Sequence, residues 1–344
     1  MYLPQVMPGV NGIQLRSSSD LPDCGRKPRK FPVAKECFRT DGLGMSKKKK
    51  ENKFFGGNKP LKYEYEFDLE GDSAAAKILR WVKDGSKVLE IGAGSGSIAI
   101  ELKRNNNCHV TALDINPQFV ERLGTICDAA YRIDLNDECW PEVLEDEKFD
   151  VVIAADILEH LWDPWTTLSQ IRALIKEDGE IIISLPHAGH CVVSACLING
   201  DFDYQDGGLL DRTHIRFFGL KNIQSLINNA GLGIVDVHFV VKRPESTDLA
   251  IQWSRLSAEL RQVLLDNRHS CVYQVVVKTK AKHKEHINLI LQDLIVDKAP
   301  REIFDRWIPN AVLRTFIKKQ IKSHISISSR RIIRRVIERF GIRI

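Results

Sequence analysis

The sequence lacks an apolar run of the ~20 residues that a membrane-spanning helix needs, because stretches such as 151–155 and 181–183 are far shorter. Residues 1–10 have neither a basic start nor an apolar stretch, so no secretory signal is evident. With 43% hydrophobic and 28% charged residues, the 344-residue chain is not collagen-like, coiled coil or disordered throughout. We therefore expect a globular, cytoplasmic protein.

Paired cysteines are also missing. The sequence has eight cysteines, but it contains no C-x-x-C pair and no spacing typical of metal ligands. This pattern predicts free thiols.

Acidic residues are scarce at both ends of the chain. Residues 1–60 carry 13 basic and 5 acidic groups, residues 61–280 carry 22 and 34, and residues 281–344 carry 15 and 6. The first segment also holds six of the 13 prolines and the run Lys47–Lys50, a composition typical of disorder. We predict a basic disordered extension at 1–60, an acidic folded domain at 61–280 and a basic helical tail at 281–344.

The tail contains a helical repeat of apolar residues opposite arginines, at Ile332, Ile333, Val336, Ile337 and Phe340. Such a face suits an anionic membrane surface, so the protein could be peripheral to the membrane. Docking of that face on the folded domain is an alternative. Nucleic acid is a third partner, disfavoured by the acidic domain between the basic ends.

The domain at 61–280 alternates between strand and helix patterns. Short apolar strands are expected near 88–91, 109–113, 130–133, 149–155 and 180–185, with helices between them. Two further strands, at 234–241 and 271–278, follow a helix at 220–230. The pattern predicts an α/β fold with a doubly wound, mostly parallel, seven-stranded sheet and helices on both faces. Ligands of such sheets bind at the carboxyl ends of the strands.

A glycine cluster stands where the first strand turns into a helix. It reads Glu90-Ile91-Gly92-Ala93-Gly94-Ser95-Gly96, a G-x-G-x-G spacing that differs from the dinucleotide fingerprint at Ser97. Asp114 ends the second strand, 22 residues beyond the first glycine, where a carboxylate can accept bonds from two ribose hydroxyls. The combination predicts a nucleoside-containing ligand.

These motifs resemble those of the class I S-adenosylmethionine-dependent methyltransferases, and the resemblance covers about residues 60–280. Asp134-Leu135, Phe149–Val152 and Asp156–Leu161 look like later motifs of that superfamily. The resemblance implies a Rossmann-like methyltransferase that uses S-adenosyl-L-methionine. The implied cofactor-binding residues are Glu90 (amino group), Gly92 and Gly94 (methionine part), Gly96, Asp114 (ribose), Asp134 (adenine) and Asp156.

The acceptor side is expected after the fourth strand. Asp156, Glu159 and His160 have a spacing that places them on one face if that turn is helical, and Asp211–Phe218 adds His214. The set resembles ubiquinone-pathway O-methyltransferases and small-RNA 2'-O-methyltransferases, in which two carboxylates and a histidine bind a divalent cation. Here the first position is an aspartate, one methylene shorter, so we leave the metal uncommitted, with Asp156, Glu159, His160 and His214 as its candidates.

Three roles are therefore open for this group: a divalent cation site, a base or acceptor-orienting site at His160, His214 and Glu159, or a purely structural role. His187 and His190 are weaker candidates for substrate contacts. The loop 201–208 could be a lid over the acceptor.

We predict a methyltransferase that O-methylates a small-molecule or saccharide-linked hydroxyl. The stretch 187–218 resembles methyltransferases of bacterial surface-sugar and secondary-metabolite pathways. The alternatives are an RNA 2'-O-methyltransferase and a non-catalytic, cofactor-binding scaffold protein.

Overall fold

The computed structural model describes residues 68, 71–144, 146–282 and 288–296. The predicted extension at 1–60 and the amphipathic face of the predicted tail lie outside these residues. No described helix combines the length and the apolar character that a membrane span requires.

Seven strands and eight α-helices form the described part of the chain. The strands are β1 (Lys87–Ile91), β2 (His109–Asp114), β3 (Ala129–Arg132), β4 (Phe149–Ala155), β5 (Ile175–Pro186), β6 (Leu232–Val241) and β7 (Val272–Ala281). The helices are α1 (Ala74–Trp81), α2 (Ser97–Asn105), α3 (Pro117–Gly124), α4 (Pro164–Ala173), α5 (Cys191–Ile198), α6 (Leu220–Asn229), α7 (Ala250–Ser254) and α8 (Ala258–Leu265).

The strands form one sheet in the order β3-β2-β1-β4-β5-β7-β6. The first five are parallel, whereas β7 runs antiparallel to both of its neighbours. This confirms the predicted seven-stranded, mostly parallel sheet. Because the strand order reverses beside β1, the crevice at the carboxyl ends of β1 and β4 is the expected ligand site.

The central strands are apolar on both sides because helices cover both faces. Alternate residues of each strand enter different cores. Val88 and Ile153 pack with α1, α2 and α3, whereas Leu89 and Val152 pack with α4 and α6. A third cluster surrounds the buried Trp253 of α7 and includes α5.

Local signals define where several helices begin. The Ser73 hydroxyl accepts a hydrogen bond from the Ala76 amide at the start of α1, and Asn116 precedes Pro117 at the first position of α3. Asp163 begins α4, where its carboxylate accepts the amides of Trp165 and Thr166. Side-chain acceptors at these positions satisfy amides that have no partner within the helix.

Part of the predicted tail packs on this core. Leu291 is completely buried, and its amide donates to the Gln224 side chain on α6. The chain at 288–296 therefore continues the folded unit beyond β7.

Replacing Ile153 with alanine tests the central strand. Ile153 is fully buried in β4, so we expect the free energy of unfolding to fall by about 2 to 5 kcal/mol. Ile251→Ala is the control, because Ile251 is 46% exposed and its truncation should change stability by about 0.5 kcal/mol or less. Chemical denaturation measures both, and equal losses would contradict this account of the core.

Candidate active site

The turn after β1 requires glycine. Gly92 has φ of 67°, and a Cβ atom there would lie 2.6 Å from the Ile157 side chain. Gly94 also has a positive φ, but no atom lies within 4 Å of the place where its Cβ would be. The turn thus packs closely on the loop after β4 at Gly92 and is open at Gly94.

Glu90 lies beneath this turn and is 3% exposed. One side of its carboxylate faces the Ala99 amide, but Oε2 has no hydrogen-bond partner. Burial, opposed by the Ala99 hydrogen bond and reinforced by nearby Asp114, raises the pKa of Glu90 to about 8. The free protein consequently holds Glu90 protonated at neutral pH, with one oxygen available to a ligand.

Asp114 and Asp134 follow neighbouring strands at the same edge of the sheet. Asp114 is half-buried and accepts the Gly94 and Asn116 amides, each at 2.8 Å. Asp134 is exposed and accepts the Asn136 amide at 2.9 Å. The carboxylate at 114 thereby fixes the shape of the glycine turn, and that at 134 shapes its own loop.

Asp156 begins the loop after β4 with a φ of 50°, unusual for a residue other than glycine. Its Oδ1 accepts the Ser184 hydroxyl at 3.0 Å, and both oxygens contact Gln274 Nε2 at 2.6 Å. A left-handed residue at a strand end is a common feature of functional sites. Asp156 precedes the short 3₁₀ helix Leu158–His160 and lies outside it.

Glu159, His160 and His214 form a group whose ligand atoms all lie within 4.8 Å of one another. Asp156 is not a member of this group. The prediction that Asp156 shares one helical face with Glu159 and His160 is therefore wrong, because the 3₁₀ helix begins at Leu158 and the Asp156 carboxylate accepts hydrogen bonds from Ser184 and Gln274.

Glu159 is fully buried, and neither carboxylate oxygen has a hydrogen-bond partner. His214 Nε2 lies 3.8 Å from Oε1. Burial, followed by the charges of Asp156 and Asp211, raises the pKa of Glu159 well above its usual value. Glu159 is thus a neutral acid unless a cation or donor enters the group.

Backbone carbonyls orient both histidines of the group. His160 Nδ1 donates to the Thr213 carbonyl at 3.0 Å, and His214 Nδ1 donates to the Leu209 carbonyl at 3.4 Å. In each imidazole the other nitrogen, Nε2, is then the one that can accept a proton. The rings meet edge to face with centroids 4.8 Å apart.

The segment 211–218 is tied to the loop after β4 through one carbonyl. The amides of Ile215 and Arg216 both donate to the Glu159 carbonyl at 3.0 Å. The Asp211 carboxylate accepts the Thr213 amide and hydroxyl, which shapes the turn that presents the Thr213 carbonyl. The sequence indicated His214, but nothing in it marked these backbone partners or Gln274.

His187 and His190 have structural partners. His187 Nδ1 donates to the Val272 carbonyl, and His190 Nε2 donates to the Lys242 carbonyl. Burial lowers the pKa of His190 to about 4, so it stays neutral at the start of α5 and accepts the Val192 amide there. Neither side chain is exposed, so the expected substrate contacts are not supported.

The cysteine prediction is confirmed in part. Cys108, Cys127, Cys191, Cys196 and Cys271 are free thiols. Cys139 is disulfide-bonded, so the prediction is wrong at this position.

The chain matches the family model described as "Methyltransferase domain" over residues 67–237. The match contains the glycine turn, Asp114 and the Glu159–His160–His214 group. The chain belongs to the class I S-adenosylmethionine-dependent methyltransferases.

Curated relatives of this methyltransferase include a 27-O-demethylrifamycin SV methyltransferase of Amycolatopsis mediterranei, 30% identical over 30% of this chain and 39% of the relative. A ubiquinone biosynthesis O-methyltransferase of Xanthomonas euvesicatoria is 24% identical over 46% of this chain and 68% of the relative. A ribosomal protein L11 methyltransferase of Chromohalobacter salexigens is 43% identical over 21% and 24%. The chain thus spans less than half the length of two of these relatives.

A structure of an S-adenosylmethionine-dependent methyltransferase from Archaeoglobus fulgidus aligns at 17% identity with a TM-score of 0.43, and the alignment covers 59% of this chain and 90% of the other. The fold assignment stands instead on the strand order of the sheet and on the family match.

Both implied groups can be tested against these residues. S-adenosylmethionine fits the cofactor edge, because Glu90 Oε2 is buried without a partner and the space beside Gly94 is open. A divalent cation fits Glu159, His160 and His214, which offer one carboxylate and two imidazoles within 4.8 Å of one another.

The raised pKa of Glu90 predicts a pH-dependent stability. Because its pKa is above the unfolded value of 4.5, Glu90 stabilises the free protein below pH 4.5, and this contribution is lost as pH rises towards about 8. Relative to Glu90→Gln, the wild type should lose on the order of 4 kcal/mol across that window. Denaturation at several pH values measures this difference.

Glu121→Gln is the matched control, because Glu121 is an exposed glutamate on α3 and should show no such trend. A pH-independent difference between wild type and Glu90→Gln would show that Glu90 is ionised throughout.

Proposed function

We propose that this protein transfers a methyl group from S-adenosylmethionine to a hydroxyl of a small-molecule or saccharide-linked acceptor. One observation carries the proposal: the open glycine turn and the Glu159–His160–His214 group lie side by side at one edge of the sheet. β1 and β4 pair in parallel, and the Ile157 side chain fills the space beside Gly92. A cofactor on the turn would have its acceptor beside the histidines.

On the cofactor side, Glu90 is proposed to receive the amino group, because its unpartnered Oε2 can accept and an ammonium would favour its carboxylate form. Asp114 receives the ribose hydroxyls with the lone pairs that its backbone contacts leave free. Asp134 is exposed at the next strand end and takes the adenine side. Gly92, Gly94 and Gly96 supply the backbone of the turn, and Asp156 lies beside the cofactor without taking part in the acceptor group.

Methyl transfer from a sulfonium is an in-line displacement, in which the cofactor supplies the electrophilic carbon. The protein must hold the acceptor hydroxyl in line and accept its proton. His160 is proposed as the base, since its Nδ1–H is fixed on Thr213 and it is more exposed than His214. The buried side chains of Glu159 and His214 are proposed to orient the acceptor.

A cation site at Glu159, His160 and His214 is the second candidate, favoured by the unpartnered Glu159 oxygens. When bound, a divalent cation would lower the pKa of the acceptor hydroxyl and favour the carboxylate form of Glu159. These three residues would hold it without Asp156.

The O-methyltransferases among the relatives support oxygen as the acceptor atom. An RNA 2'-O-methyltransferase and a non-catalytic cofactor-binding scaffold are the other candidates. Incorporation of labelled methyl groups from S-adenosylmethionine into fractionated small molecules, glycans and RNA distinguishes all three. Label in RNA alone, or in no fraction despite cofactor binding, would contradict the proposal.

Replacing Asp114 with alanine should weaken S-adenosylmethionine binding by about 1 to 3 kcal/mol, because the ribose hydroxyls lose a charged acceptor. Isothermal titration calorimetry measures the affinity. Asp128→Ala is the matched control: Asp128 also accepts a backbone amide, that of Val110, but at the opposite edge of the sheet. Equal affinities for Asp114→Ala and wild type would rule out the ribose assignment.

Removal of divalent cations with a chelator distinguishes the mechanism with a histidine base from the mechanism with a bound cation. If His160 is the base, methyl transfer should survive EDTA and drop at least ~100-fold in His160→Gln. Cofactor affinity should stay unchanged in both cases, because His160 lies on the acceptor side.

The control variant is His109→Gln, which replaces an exposed histidine at the start of β2 and should retain full activity. Loss of activity in EDTA that magnesium or manganese restores would overturn the metal-free mechanism in favour of the cation site.

A further inference from the structure

Exposed aromatic side chains are concentrated beside the candidate active site. Thirteen large apolar side chains are exposed in the described residues, and four of them are aromatic. These four are Trp162, Trp165, Tyr204 and Phe217, which all flank the Glu159–His160–His214 group in the chain or in space. We propose that they form a stacking platform for a saccharide ring of the acceptor, which we call the aromatic rim; this rests on the proposed methyl transfer.

The rim consists of two contacting groups, which the neighbouring residues Arg216 and Phe217 join through the backbone. The Arg216 side chain donates to the Trp162 carbonyl, and its guanidinium lies over the Trp165 ring at 5.8 Å. The next residue, Phe217, meets Phe202 edge to face at 5.4 Å, and Phe202 meets Tyr204 at 5.1 Å. Rings that contact one another in this way hold a defined orientation at low entropic cost.

The rim is connected to the Glu159–His160–His214 group at two points. Trp162 follows His160 by two residues, and the Arg216 amide donates to the Glu159 carbonyl. The Trp162 amide donates to Asn136, which belongs to the loop of Asp134 on the cofactor side. A ring seated on Trp162 would therefore lie between the cofactor edge and His160.

Exposure of these rings indicates a ligand rather than packing. Trp162 is 68% exposed and Tyr204 is 56% exposed, although buried aromatic residues normally dominate cores. Exposed apolar patches rimmed by polar groups typically mark ligand grooves. The apolar C–H face of a pyranose is complementary to the face of an indole or phenol ring.

The charge of the rim favours a neutral, hydroxyl-rich ligand. Apart from Glu159, the two segments that form it, 156–165 and 201–218, contain six acidic and two basic residues. Asp203 and Asp206 flank Tyr204, and Asp163 lies between the two tryptophans. Carboxylates accept hydrogen bonds from sugar hydroxyls, whereas the same charges repel the phosphates of a nucleic acid.

The test uses the full chain labelled with 5-fluorotryptophan, whose six tryptophans give six fluorine resonances. The probes are neutral oligosaccharides of hexose and 6-deoxyhexose units, catechol, and single-stranded RNA. We expect an oligosaccharide to shift the Trp162 and Trp165 resonances and to leave buried Trp140 and Trp253 unchanged. Trp162→Ala and Trp165→Leu assign the signals, and each should weaken binding about 5- to 10-fold.

Ile251→Ala, at an exposed apolar residue of α7, should bind the oligosaccharide as the wild type does. Shifts caused only by RNA or only by catechol would overturn the saccharide assignment. Unchanged resonances with every probe, or oligosaccharide binding that the tryptophan variants retain, would overturn the rim itself. Calorimetry with S-adenosylmethionine is run in parallel, so that a missing cofactor site, which would sink the proposed function, is recognised separately.

Discussion

The carbonyl group of Glu159 is the point on which the candidate active site depends. It accepts the amides of Ile215 and Arg216, and it thereby joins the loop after β4 to the segment 211–218. This junction brings His214 beside the Glu159 carboxylate and places the Thr213 carbonyl on His160. Without it, residues more than 50 positions apart in the sequence would not meet at the carboxyl edge of the sheet.

Two buried acids lie on either side of that edge. Glu90 beneath the glycine turn and Glu159 beneath the histidines both have raised pKa values because burial disfavours their charged forms. Each also has at least one carboxylate oxygen without a protein partner. Buried polar atoms are normally satisfied, so these oxygens indicate where bound groups complete the structure. In the free protein, these two buried carboxyl groups remain without full hydrogen bonding, which costs stability, and the site is thereby already formed before a ligand binds.

Much of the fold could be predicted from the sequence because its signals are local. The continuous apolar run of β4 and the glycine turn after β1 placed the sheet and its ligand edge. Helices α1, α5, α7 and α8 were not predicted. The start of β5 at Ile175 was also missed, because residues 165–176 were expected to be helical and 178–179 to form a turn, whereas the strand passes through 175–179 with a shifted register.

The candidate site was only partly predictable, for a physical reason. Asp156 and Glu159 are equivalent by spacing, but the Asp156 carboxylate accepts hydrogen bonds from Ser184 and Gln274, whereas the Glu159 carboxylate lies beside His214. Ser184 and Gln274 come from two other strands. His187 and His190 likewise have side-chain partners that only the tertiary structure supplies. The aromatic rim could not be predicted from the sequence, because aromatic residues are more often buried and only the tertiary structure shows that these four side chains are exposed.

A crystal structure with S-adenosylhomocysteine tests the central claim most directly, namely that one sheet edge holds the cofactor against the Glu159–His160–His214 group. We predict the amino group at hydrogen-bond distance, about 3 Å, from Glu90 Oε2, the ribose hydroxyls on Asp114, and the sulfur facing His160. A cofactor bound elsewhere, or one whose sulfur faces away from His160, would contradict the account.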